Sequence, residues 1–277
     1  MATGYYPGCS LEGTAAEFDM SIRALAEALQ LPLTEIEDWN CCGASAAHQT
    51  NHLLGLALPA RTIALAAAQG MEEIVAPCAA CSNRLIAAQA EWLDNSGLRG
   101  DIEHAIGMPL PAGRLPIRNC IEFLLPHIEK ITAALRKPLT GKKVACYYGC
   151  LLVRPPKVVA FDDPENPVTM EKVAAATGAE AVDWGFRTEC CGAAFAMSST
   201  ASVVRLCGRI LDNARSEGAH MVIVACPLCH ANLDMRQPKG MAMPIVYLSQ
   251  LVGLAVGVAP KALGLGKHIT PVAPALA

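Results

Sequence analysis

The chain carries two adjacent cysteine pairs, Cys41-Cys42 in NCCGASA and Cys190-Cys191 in ECCGAAF, each followed by a glycine. Neighbouring residues of a strand point to opposite faces, so such a pair is an awkward chelate for one small ion. At a turn, two neighbouring thiolates reach two neighbouring irons, or bracket one iron of a multinuclear centre. Gly43 and Gly192 would let the backbone turn sharply and approach that centre closely. Iron–sulfur chemistry is the expectation these pairs raise.

Each pair belongs to a longer set. Cys9 is followed after 31 residues by Cys41-Cys42, and after 35 more by Cys78 and Cys81. In the second set Cys150 is followed after 39 residues by Cys190-Cys191, and after 34 more by Cys226 and Cys229. The flanks repeat as well: YYPGC with YYGC, CCGAS with CCGAA, APCAACSNRL with ACPLCHANL. A long-range repeat of this kind means two copies of one structural unit. Each copy offers five thiols, whereas a closed structural zinc site takes four ligands. A cubane cluster with four cysteines would likewise leave one unused. The spacing matches neither common ferredoxin pattern. CPLCH, Cys226 to His230, has the form of a c-type haem attachment, but its repeat partner CAACS lacks the histidine. His230 is then either a neighbour of the second centre or ordinary surface.

The elements that must position these thiols read as α/β. ATGYY, LTEIEDW, EEIVA, KKVACYY and MVIVA have the composition of short strands. Residues 15–30 show helical spacing at Phe18, Ile22, Leu25 and Leu29, and HLLGLALPARTIALAAAQ reads as a helix containing Pro59. The expected fold is two pseudo-symmetric repeat halves, each a small, mostly parallel sheet with flanking helices. The Pro- and Gly-rich GMPLPAGRLP places the join so that residues 1–112 form the first domain and 113–277 the second. CIEFLLPHIEKITAALRK then leads in as a helix with a kink or start near Pro126. In each copy all three cysteine groups follow a strand, and ligands of open α/β sheets sit beyond the carboxyl ends of strands. Helix starts at that edge direct N–H groups and positive dipole ends at an anionic sulfur-rich centre.

Composition narrows the partners. The 277 residues are 53% hydrophobic and 17% charged, with a net charge of −3, which argues against disorder and against a nucleic-acid partner. MATGYYPGC is no secretory leader, so a cytoplasmic location is expected, and thirteen cysteines there point to metal or redox chemistry rather than disulfides. The most apolar stretch, Ile245 to Ala259, is shorter than the ~20 residues of a membrane span and is expected to form a buried C-terminal helix.

These residues make the chain resemble the B component of heterodisulfide reductases, the family with twin cysteine-rich CCG domains. The resemblance covers nearly the whole chain. It implies two non-cubane 4Fe–4S clusters: one held by Cys9, Cys41, Cys42, Cys78 and Cys81, the other by Cys150, Cys190, Cys191, Cys226 and Cys229. Through the clusters these cysteines would be catalytic, with Gly43, Gly192 and His230 around them. It also implies a disulfide or thiol substrate, including a protein-bound one, held between the clusters. The implied partners are a ferredoxin protein with cubane clusters, like the family's C component, and a flavin-containing protein like its A component. Members that act on the coenzyme M–coenzyme B disulfide tend to have a histidine after the cysteine matching Cys150, where this chain has Leu151. That departure points to a different disulfide and to a proton donor elsewhere, with His48, His52 and His230 as candidates.

Blander roles stand beside these. Cys120, Cys146 and Cys207 lie outside the repeat and read as buried, inert thiols. Arg84, Arg154, Lys157 and Arg187 could bind an anionic substrate group, or could pair with acids such as those of FDDPENP, itself a lid or a plain turn. The three tryptophans are expected to pack. Two functions follow: a disulfide/thiol oxidoreductase subunit, or an electron relay between a flavoprotein and a quinone or other acceptor. A zinc-stabilised interaction module is the weaker third.

Overall fold

The structure, a computed structural model, describes residues 2–276. It contains two four-stranded sheets. The first comprises β1 (Thr3–Tyr5), β2 (Thr34–Glu35), β3 (Glu73–Val75) and β4 (Ile117–Arg118), in the order β2-β1-β3-β4. The second comprises β5 (Lys143–Tyr147), β6 (Glu180–Ala181), β7 (Met221–Val224) and β8 (Ile245–Tyr247), in the order β6-β5-β7-β8. Every neighbouring pair is parallel. The two halves therefore repeat one topology, as the cysteine pattern predicts. Parallel strands covered by helices on both faces carry continuous apolar runs, and β7 is buried along its whole length.

The join differs from the expectation. β4 lies after residue 112 yet pairs with β3, Ile74 against Ile117, so the first sheet extends past the expected boundary. The Pro- and Gly-rich stretch is a turn into an edge strand, not a link between domains. The connection between sheets begins with the helix Cys120–Leu124, whose Asn119 side chain accepts from the Ile121 and Glu122 amides. It kinks at Pro126 in a 3₁₀ turn and continues as Ile128–Ala133. The apolar stretch after Ile245 also divides: Ile245–Tyr247 is β8, and the helix runs only from Leu248 to Ala255. A fully apolar run has no periodicity to separate strand from helix.

The halves interlock reciprocally. Helix Ala16–Ala28 of the first packs on Leu248–Ala255 of the second, and Thr169–Ala175 of the second packs on Cys120–Leu124 of the first. At this seam Ser21 and Ser249 share a buried hydroxyl contact of 2.6 Å. Phe18 stacks on Tyr247 with ring centroids 4.1 Å apart, and Tyr247 stacks on His230 at 4.3 Å. Among the described residues, no helix is long and apolar enough to cross a membrane.

Candidate iron–sulfur site

In both sheets the chain order reverses at one place, between β1 and β3 and between β5 and β7. Such switch points open a crevice at the carboxyl ends of the strands. The cysteines arrive at these two crevices. Cys9 follows β1, Cys41-Cys42 follow β2, and Cys78 follows β3 as the residue preceding helix Ala79–Asp94. Cys150 follows β5, Cys190-Cys191 follow β6, and Cys226 precedes helix Pro227–Met235. Cys81 and Cys229 lie in the first turns of those helices.

The first set is connected sulfur to sulfur. Cys9 Sγ lies 3.5 Å from Cys41 Sγ, and Cys42 Sγ lies 3.4 Å from Cys81 Sγ. Hydrogen bonds from Cys41, then from Cys81, hold the Cys42 thiol down at about 3. Cys78 is lowered first by Cys81, while Cys41 is raised, first by Cys42. In the second set Cys191 lies 3.8 Å from Cys229, whose hydrogen bond is the main cause that lowers Cys191 to about 7. Burial, and then Cys190, Cys191 and Cys226, push Cys150 up to about 11. Bringing thiols together favours the thiolate at Cys42 and Cys78 in the first set and at Cys191 in the second, and thiolate is the form that binds metal.

The glycines of the CCG motifs take part directly. Gly43 and Gly192 have φ of +72° and +74°. Their amides point back at sulfur, Gly43 N to Cys41 Sγ at 3.5 Å and Gly192 N to Cys190 Sγ at 3.3 Å. Two more glycines, absent from the sequence-based site, act by having no side chain. A Cβ on Gly8 would stand 2.9 Å from Cys81 Sγ, and one on Gly149 would stand 3.0 Å from Cys229 Sγ. Tyr6 and Tyr147, each three residues before the first cysteine of its set, are likewise absent from the sequence-based site. Tyr6 Oη donates to the Asn40 carbonyl at 2.8 Å, and Tyr147 Oη to the Glu189 carbonyl at 2.5 Å. Each ties the strand that leads to the first cysteine to the residue before the pair. The repeated YY is the signal that marks them.

The donor set discriminates between metals. Ligands of one tetrahedral zinc with Zn–S of about 2.3 Å lie about 3.8 Å from one another. Among the described residues no three cysteine sulfurs fall within 4.8 Å of one another; His230, Asp234 and His268 alone form such a group. Five soft thiols along a crevice, with a glycine amide aimed at one of them, fit a polynuclear iron–sulfur centre better than a single ion.

The remaining candidates are placed as follows. His230 is buried, not surface, and its Nε2 lies 3.2 Å from His268 Nδ1. His52 is exposed and pairs with Glu91 at 3.1 Å, and His48 is also exposed. Arg187 is turned inward: it donates to Asp183, Pro167 O and Trp184 O and lies 3.6 Å from Glu171, so it is not a surface anion site. Arg154 pairs with Glu165 at 2.8 Å. In FDDPENP, Asp163 accepts from the Glu165 and Asn166 amides and Asp162 from Val168 and Thr169, which makes the segment a closed turn. Cys120, Cys146 and Cys207 are buried. Cys207 packs behind the second set, 3.7 Å from the Cys191 carbonyl. Trp92 and Trp184 are buried, and Trp39 packs edge-on against Tyr6.

Comparison with known proteins places this arrangement. The CCG cysteine-rich domain family matches twice, at residues 3–86 and 144–234. The membrane anchor component of the 8-methylmenaquinol:fumarate reductase of Wolinella succinogenes is 35% identical over 274 residues, covering 96% of this chain and 95% of that protein. The B component of the ferredoxin/F420H2-dependent CoB-CoM heterodisulfide reductase of Methanosarcina acetivorans is 28% identical, covering 95% and 92%. A protein of Archaeoglobus profundus described as similar to the B component of heterodisulfide reductase is 25% identical, covering 97% and 94%. Among solved structures, a hypothetical protein from Helicobacter pylori superposes over 98% of this chain with a TM-score of 0.74 at 11% identity. This chain spans 52% of that one, and the likeness is one of fold.

Proposed function

This chain belongs to the CCG cysteine-rich domain family, with the domain present twice, and from that premise we propose that it is the catalytic iron–sulfur subunit of a disulfide/thiol oxidoreductase complex. Each half holds one non-cubane 4Fe–4S cluster: the first on Cys9, Cys41, Cys42, Cys78 and Cys81, the second on Cys150, Cys190, Cys191, Cys226 and Cys229. The observation that carries this reading is the arrival of two equivalent five-thiol sets at the switch points of two equivalent sheets. Such centres, when bound, supply one electron each, and splitting a disulfide takes two. The chain's own part is to set the two crevices on either side of one seam, so that a substrate between them meets both. Tyr247 stands at that seam, stacked on Phe18 of the first half and on His230 of the second. The electrons arrive from a ferredoxin-like partner with cubane clusters, with a flavoprotein behind it. Direction is a matter of potentials, ~30 mV being worth about 1.4 kcal/mol for a two-electron couple.

Iron and sulfide quantitation on anaerobically purified protein tests the cofactor. The expected result is about eight irons per chain, as two four-iron centres require. One zinc per half and no iron would remove the basis of the proposal.

A second reading has a specific observation behind it, the 35% identity to the fumarate reductase component. In it the same two centres relay electrons between a flavoprotein and a quinone. The two readings separate in one assay of the reconstituted complex, with a disulfide and a menaquinol analogue offered side by side. Disulfide turnover supports the first reading, and quinol-linked turnover alone supports the second.

A further inference from the structure

The second cysteine set is in contact with a buried side-chain amide. Asn232 lies in helix Pro227–Met235, three residues after Cys229. Its Nδ2 donates to the Cys191 carbonyl at 3.1 Å and faces Cys191 Sγ at 3.8 Å. A side-chain amide carries two N–H protons, so one nitrogen serves both acceptors. The amide is oriented from its other end. Arg236 Nη1 donates to Asn232 Oδ1 at 3.0 Å, one helical turn on. A guanidinium has donors only, so the atom it meets is the oxygen, and the nitrogen is left facing Cys191. Cys207 fills the space behind, its Sγ 3.7 Å from the Cys191 carbonyl and 3.5 Å from that of Asn232. Cys191, Cys207 and Asn232 are all buried, and a hydrogen bond in such surroundings is electrostatically stronger than one in water.

The repeat does not share this contact. The matching position in the first half, three residues after Cys81, is Arg84. Among the described residues, Asn232 gives the only side-chain N–H directed at a cysteine sulfur. Tying the helix to the CCG turn does not account for it. Gly43 and Gly192 have φ of +72° and +74°, so the first half makes the same turn with no asparagine in that place. What Asn232 adds is a donor at the sulfur itself.

We propose that Asn232 is a positioning residue of the second centre, which holds Cys191 in place and, by donating to its sulfur, raises the reduction potential of the centre bound there. The proposal rests on the cluster reading above and applies to either of its two functions. Reduction adds negative charge to an iron–sulfur centre and its ligand sulfurs. An N–H directed at a ligand sulfur stabilises that state more than the oxidised one, and hydrogen bonds to the sulfurs are among the levers that set such potentials. Arg236 strengthens the donor, because linked hydrogen bonds polarise one another. The effect is confined to the second set.

The test uses the full chain loaded anaerobically with iron and sulfide, titrated with dithionite and followed by electron paramagnetic resonance. Asn232→Leu and Asn232→Asp both remove the donor at little change in volume. Each is expected to move one reduction wave to lower potential and leave the other where it was, with iron per chain unchanged. Asn232→Asp puts an acceptor where the donor stood and should move that wave further, by about tenfold in the one-electron equilibrium, or ~59 mV. Arg236→Gln keeps a neutral donor to Asn232 Oδ1 and should give a smaller shift in the same direction. Waves that stay in place in both Asn232 variants, waves that move together, or a shift that tracks lost iron each overturns the role of Asn232. If the native chain binds no iron, the cluster reading has failed and takes this proposal with it. That outcome is distinct from a loaded chain whose waves ignore the substitutions.

Discussion

The two halves build the same crevice from different local structure. In the first half Cys9 sits in a short helix, Gly8–Glu12, directly after β1, and its sulfur touches Cys41. In the second half Cys150 sits in a turn that opens a long connection to the helix Thr169–Ala175. That connection is held by side chains: Asp162 and Asp163 close its turn, and Asn83 of the first half donates to the carbonyls of Leu151 at 3.0 Å and Arg154 at 2.8 Å. The first set is thus assembled within its own half, whereas the second borrows support from its neighbour. Position in the repeat fixes which cysteines reach each crevice, and the route by which each is held is free to diverge.

Breaking one set at a time gives the largest expected effect. Cys42→Ser and Cys191→Ser should each abolish turnover and halve the bound iron, as measured by metal analysis. Loss of all iron from either single variant would show that the halves do not load independently.

The CCG glycines sharpen the comparison next. A Cβ on Gly43 would stand 2.7 Å from the Ala47 Cβ, whereas one on Gly192 would stand 3.0 Å from Leu206 Cδ1 and 3.2 Å from Val203 Cγ2. Both positions also carry the left-handed backbone penalty. Gly43→Ala should therefore destabilise by about 3 kcal/mol and Gly192→Ala by about 1–2 kcal/mol, read by thermal unfolding of the metal-free chain. Equal losses would mean that the backbone term alone decides.

Removing the borrowed support comes third. Asn83→Ala should cost about 1–2 kcal/mol for two lost, partly buried hydrogen bonds and speed protease cleavage near residue 155, while the first half keeps its protection. Ala231 holds the corresponding place two residues after Cys229, and Ala231→Ser should have no such effect.

The smallest effect is chemical. In the metal-free chain a thiol reagent should label Cys9 and Cys190, the exposed member of each set, before any other cysteine. Cys120 and Cys207, whose thiols burial pushes up to about 12, should stay unlabelled until the chain unfolds. Early labelling of Cys207 would place it among the exchangeable thiols of the second set.

Much of this was legible along the chain. The ten cysteines, their division into two sets, the α/β halves and the two CCG glycines follow from spacing and residue type, because a repeat must fold twice in the same way. Elsewhere local signals were ambiguous. GMPLPAGRLP looks like a domain link because proline and glycine mark turns of every kind, yet it leads into β4. Ile245 to Tyr247 looks helical because a buried strand and a buried helix are equally apolar. Arg187 resembles an anion ligand in the sequence, whereas its side chain lies among Glu171, Asp183 and two carbonyls.

The sequence by itself determined the two-fold repeat and the two sets of thiols. A soft-ligand set is written in residue type, and a two-fold repeat states its own symmetry. Tertiary structure alone decided how the two halves meet. Ser21 and Ser249 are 228 residues apart, and Phe18 stacks on Tyr247 across the same seam. Contacts of that separation depend on how the two halves dock, and docking is set by the summed packing of helix faces, which no short stretch of chain encodes.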